Sequence, residues 1–133
     1  MAHIGQLIEF SSSAFPPCKE DEEELVNHET MHGYALARYV ADRLPAHGFE
    51  LAGMVGEDWG WWCAIKNEGY TLAYGCSGDR GEDFILHVTP DKPQIRRWFK
   101  KVDVADRVEG LLQAIFAILA QSGKATRGPA WSG

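Results

Sequence analysis

Two aromatic-rich runs, Trp59–Lys66 and Tyr70–Cys76, are joined by only three residues, Asn67-Glu68-Gly69. Asn and Gly tolerate positive φ, so the link reads as a tight turn and the two runs as an antiparallel hairpin. Strand side chains alternate faces, which puts Trp61, Cys63 and Ile65 on one face with Leu72 and Tyr74. That face is the one helices should cover. The opposite face would carry Gly60, Trp62, Ala64, Thr71, Ala73 and Gly75, small residues around one large aromatic, and reads as a groove or a subunit contact.

Three further runs read as strands: Gln6–Phe10, Phe49–Val55 and Phe84–Val88. Acidic residues crowd Glu20 to Glu24, where negative charge suits the unpaired N–H groups of a solvated helix start. Apolar side chains then recur at Met31, Ala35, Leu36, Tyr39, Val40 and Leu44 on one helical stripe. Pro45 and Gly48 should stop that helix, Gly48 as a left-handed cap with Phe49 as its apolar contact. A second stripe, Val104 to Ser122, predicts a last helix with Asp103 as its N-cap and Gly123 at its end. The expected fold is therefore α+β. It is a two-layer sandwich with a mostly antiparallel sheet of about five strands and two long amphipathic helices on one face. Residues 1–123 form one domain, and 124–133 read as a flexible tail.

Composition narrows the function classes. A chain of 133 residues with 45% apolar side chains supports a single core. The net charge of −6 disfavours nucleic acid and anionic membrane surfaces as partners. The longest apolar run, Leu111 to Ala120, is far short of a membrane span of roughly twenty residues. Met1-Ala2-His3-Ile4-Gly5 has no basic region followed by an apolar stretch, and Cys18, Cys63 and Cys76 are scattered and odd in number. Both features lead to the expectation of a cytoplasmic protein with free thiols.

His28-Glu29-Thr30-Met31-His32 matches the zinc-hydrolase pattern HExxH, in which two histidines a helical turn apart ligate the metal and the glutamate activates its water. Gly33 follows directly, and no residue stands at the usual spacing for a third ligand; Glu57, Asp58, His47 and His87 are the candidates in space. The alternative is that His28 and His32 extend the helical stripe as half-buried boundary residues. The latter is the preferred reading, so no cofactor is expected, with zinc as the alternative.

Glu57-Asp58-Trp59-Gly60-Trp61-Trp62-Cys63 joins two carboxylates to three indoles, which suits either a recognition surface built on Asp58, Trp59 and Trp62 or an aromatic core. Cys63 with Asp58 and His87 spells a thiol nucleophile with base and orienting carboxylate, but a Cys beside tryptophans in a strand is more often a buried small hydrophobe. Gly75, Gly78 and Gly81 frame a loop without a phosphate-binding pattern. Arg96, Arg97 and Trp98, within a run that ends at Lys101, could dock an acidic partner or pair with the chain's own acidic run.

The strings at Glu57–Cys63, Ala73–Cys76 and Ile95–Lys101 resemble a group of small bacterial proteins to which no activity is attached. The resemblance implies a single bacterial α+β domain and carries over no catalytic residue. The expectation for function is a non-enzymatic binding or regulatory domain that contacts another protein or a second copy of itself. A zinc-dependent hydrolase and a small-ligand pocket near Trp59 and Trp62 are the alternatives.

Overall fold

A computed structural model of the chain describes residues 3, 5–24, 31–79, 82–90 and 101–133. In chain order the elements are β1 (Leu7–Ser11), α1 (Lys19–Glu24), β2 (Met31–His32), α2 (Tyr34–Arg43), a 3₁₀ turn (Leu44–His47), β3 (Leu51–Glu57), β4 (Gly60–Ile65), β5 (Leu72–Asp79), β6 (Asp83–Pro90), α3 (Lys101–Ala120) and β7 (Arg127–Ser132). Six strands cross the sheet in the order β3-β4-β5-β6-β1-β7, and the two-residue β2 pairs with the end of β5. Every neighbouring pair is antiparallel.

The aromatic hairpin forms as its sequence requires. Gly69 takes φ 92° in the turn, and the Asn67 amide donates to the Tyr70 carbonyl at 3.1 Å. Cys63 opposes Tyr74 and Ile65 opposes Leu72, so the apolar sets of β4 and β5 meet on one face. That inner face packs on Leu36, Val40 and Leu44 around α2 and on Leu111, Leu112, Ile115 and Leu119 of α3, in one continuous core. The Tyr74 hydroxyl, buried there, donates to the Ala37 carbonyl at 2.7 Å, which avoids the cost of an unpaired polar group.

The α+β class and the antiparallel sheet match expectation, but only one long helix does. The stripe from Met31 to Leu44 is not one helix with the acidic run. The chain enters β2 at Met31, and Gly33 takes φ 152° before α2 starts at Tyr34. A Cβ on Gly33 would stand 2.7 Å from the Cys76 carbonyl oxygen, so the backbone crosses β5 where only glycine fits. The α2 that remains has ten residues, against twenty for α3.

The end of α2 follows the expected cap. Gly48 adopts φ 87°, its N–H reaches the Pro45 carbonyl, and the Phe49 N–H reaches the Leu44 carbonyl at 3.2 Å. This use of Phe49 explains why β3 begins at Leu51 and not at Phe49. Helix α3 includes Lys101, which places Asp103 inside the helix and not at its N-cap.

The segment 124–133, expected as a loose tail, contains β7, which pairs with β1 from Leu7↔Ser132 to Ser11↔Arg127. Its Gly128 and Pro129 read as chain breakers, yet proline is tolerated on an edge strand whose N–H side meets no neighbour. Trp131 anchors it, stacked between Phe116 of α3 (4.6 Å between centroids) and His3 (3.9 Å).

Candidate functional site

The sheet has two faces, and among the described residues helices cover only one. Alternation sends Ala64, Ala73 and Thr89 outward in one cross-strand row, and Val55, Trp62, Gly75 and His87 in the next. A third row holds Ser77, Ile85, Glu9 and Ala130, and a fourth Asp83, Ser11 and Arg127. The face thus grades from small and apolar at one end to charged at the other.

Its centre is a glycine covered by a histidine. A Cβ added to Gly75 would fall inside the His87 ring, so the imidazole occupies the space that a side chain on β5 would fill. Trp59, carried by the β3–β4 turn, brings its ring to 5.4 Å from that of His87. Burial lowers the His87 pKa from its ordinary value, so the ring is neutral at pH 7. Around this pair Val55 is 49% exposed, Ile85 42% and Trp59 36%. These are the large apolar side chains most open to solvent among the described residues.

At the charged end β1 departs from regular pairing with β7 between Glu9 and Ser11. A cavity of about 280 Å³ opens there, lined by Glu9, Ser11, Asp83, Ile85 and Arg127 above Phe84. The Ser11 hydroxyl donates to Asp83 Oδ1 at 2.6 Å and fixes that carboxylate. Ile85 belongs both to this cavity and to the apolar centre, so the two are one surface.

The inner side holds a polar knot of a different kind. Asp21, 3% exposed, accepts through Oδ1 the backbone N–H groups of Gly33 and Tyr34 (both 3.0 Å) and the indole Nε1–H of Trp61 (2.8 Å). Its Oδ2 takes the Cys18 N–H at 2.9 Å and the Cys18 thiol at 3.3 Å. Asp21 therefore caps α2 from a distance, a role Gly33 cannot perform for want of a side chain. The acidic run does start a helix, α1, with Glu22 exposed, but Asp21 departs from the expected solvated face: its carboxylate turns inward, where five donors meet it.

Of the residues singled out from sequence, Trp59 and Trp62 both reach the outer face, Trp59 against His87 and Trp62 half-buried beside Gly75, while Asp58 is exposed in the turn. Arg96, Arg97 and Trp98 lie outside the described residues, as do His28 and Glu29. His32 is not on a helix margin. It sits in β2 opposite Gly78, 1% exposed, with its ring edge-on to Phe84 at 5.1 Å and, among the described residues, no hydrogen-bond partner for either ring nitrogen.

The thiol constellation is separated by the sheet. Cys63 is buried on the inner face, His87 lies on the outer one, and Asp58 is exposed in the β3–β4 turn. Burial pushes Cys63 up to about 12 and Cys76 well above the usual thiol range. Burial, then the bond to Asp21, raises Cys18 to about 11. All three are thiols, not thiolates, at neutral pH, and a thiol is a poor nucleophile. Among the described residues, no three His, Cys, Asp or Glu side chains gather closely enough to hold a metal ion.

Sequence reading missed Val55, Ile85, Glu9, Asp83 and Arg127. Each is an unremarkable residue in its own strand and becomes part of a site only through cross-strand register.

The fold and this surface define a class: an α+β protein with a helix-covered sheet whose other face is open among the described residues. Comparison with protein-family models, with curated proteins and with solved structures finds no match for the chain.

Proposed function

We propose that the protein is a non-enzymatic binding domain that docks another protein, or a second copy of itself, on the outer face of its sheet. The observation that carries this reading is the exposure of Val55, Trp59 and Ile85 around the His87–Gly75 centre. Trp59 and Trp62 supply rigid area with an N–H handle, the kind of group that dominates protein contacts. The raised thiol pKa values and the neutral, desolvated His87 favour recognition over nucleophilic chemistry.

The hydrolase alternative draws less support, because His32 lies in extended backbone and packs against Phe84, while His28 and Glu29 lie outside the described residues. The pocket alternative shifts from Trp59 and Trp62 to the cavity beside Glu9 and Asp83.

Photo-crosslinking tests the proposal. A photoreactive residue placed at Val55 or Ile85 should give discrete protein adducts in the producing cell, whereas one at Asp106, exposed on α3, should give none. Equal adducts from all three positions, or none from any, would remove the outer face as a docking surface.

A further inference from the structure

Charge on the outer face is one-sided. Glu57 and Asp58 stand at the β3–β4 turn, and Glu9 and Asp83 stand beside the cavity, all exposed, against Arg127 as the cation among the described residues of this face. Ser11 occupies Asp83 Oδ1, while Oδ2 and the whole Glu9 carboxylate have no ion-pair partner among the described residues. An apolar strip with free carboxylates at both ends repels a second copy of this acidic chain and attracts a cation that carries apolar neighbours.

We propose that the outer face receives an extended basic segment of a partner protein. Apolar side chains of the segment lie along Val55, Trp62 and Ile85, and a Lys or Arg enters the cavity between Glu9 and Asp83. The cavity of about 280 Å³ has room for one such side chain, and Ile85 on its wall can cover the aliphatic stem while the head meets the carboxylates. An extended segment presents alternate side chains to one surface, so the apolar groups and the cation stand at alternate positions of the segment. The inference rests on the binding-face reading and adds the chemistry of the partner.

The test uses the full chain and three acetylated, amidated octapeptides whose alternate positions, those sharing one face, carry three Val and then one Lys, one Gln or one Glu, with Ser at the positions between. Binding is followed by backbone amide shifts and by calorimetry at two salt concentrations. The Lys peptide should bind about tenfold more tightly than the Gln peptide, lose that margin at high salt, and shift the amides of Glu9, Ile85 and His87. Glu9→Gln with Asp83→Asn should abolish the margin; Glu9→Gln alone, which leaves the Ser11–Asp83 bond in place, should reduce it. Ile85→Ser should weaken both peptides alike.

If the Lys and Gln peptides bind equally, or the double variant keeps the preference, the charged partner is wrong; a loss of both on Ile85→Ser then leaves the binding face standing. If no peptide shifts outer-face amides at millimolar concentration, the segment proposal is overturned, and the crosslinking result decides the wider reading on its own.

Discussion

The Asp21 carboxylate accepts the indole N–H of Trp61 at 2.8 Å across forty positions of sequence, and the same oxygen holds the first two N–H groups at the start of α2. One side chain thereby ties α1, a central strand and the N-terminus of α2 together. Asp21→Ala removes the acceptor of five donors, two of them, the Gly33 N–H and the Trp61 indole, in buried bonds that cost about 1–3 kcal/mol each to leave unmade, so a loss of roughly 3 kcal/mol or more is expected in urea unfolding. Asp21→Asn keeps one acceptor oxygen and should cost less than half as much. Equal, small losses for both would show that the knot contributes little.

His32 provides a second stability test that also bears on metal binding. Its ring is buried with two nitrogens unpaired among the described residues, and a buried polar group without partners destabilises the fold. Replacement by Leu, apolar and of similar size, should therefore leave the melting temperature unchanged or raise it, whereas His32→Ala opens a cavity and should cost about 2 kcal/mol. A fall in stability with Leu as large as that with Ala, accompanied by loss of bound zinc, would restore the metal reading.

Gly75 and His87 form a pair whose coupling can be measured. Gly75→Ala drives the new methyl group into the imidazole and should cost about 1–3 kcal/mol. In the background of His87→Ala the same change should cost much less. A double-mutant cycle by thermal unfolding gives the coupling, and additive losses would place His87 away from Gly75 in solution.

Acid should act through the same histidine. The pKa of His87 is lowered in the folded state, so below about pH 6.5 the unfolded chain binds a proton that the folded chain resists. Its contribution to stability is present at neutral pH and is lost as the pH falls through that range. His87→Gln removes the titration and should flatten the stability curve between pH 7 and 5 relative to the parent, as read by urea midpoints. An unchanged slope would mean the ring is solvated.

At the sheet edge, Trp131 holds β7 through its stacks on Phe116 and His3, and His3 is itself bonded to Glu109 at 2.9 Å. Burial alone would raise the Glu109 carboxyl, but hydrogen bonds from Gln113 and His3 outweigh it and hold the pKa below the usual value. Trp131→Ala should release β7, so that amides of residues 127–132 exchange rapidly while those of β5 stay protected. Uniform deprotection of both strands would show that β7 and the core unfold as one unit.

Local chemistry determined much of this fold. The Asn67–Gly69 turn, the alternation of β4 and β5, the Gly48 cap and the stripe of α3 are each written in neighbouring residues, because turn geometry and periodicity act over a few positions. Trp59 and Trp62 were legible as surface candidates for the same reason. Tertiary structure alone decided the rest. Asp21 looked like one acid among five until Gly33, Tyr34 and Trp61 came within bonding distance. His32 followed a helical period until Gly33 turned the chain and β5 offered it a strand partner. Val55, Ile85, Glu9 and Asp83 come onto one face only when the register of five strands is set, since a surface across a sheet depends on pairings that no stretch of sequence contains.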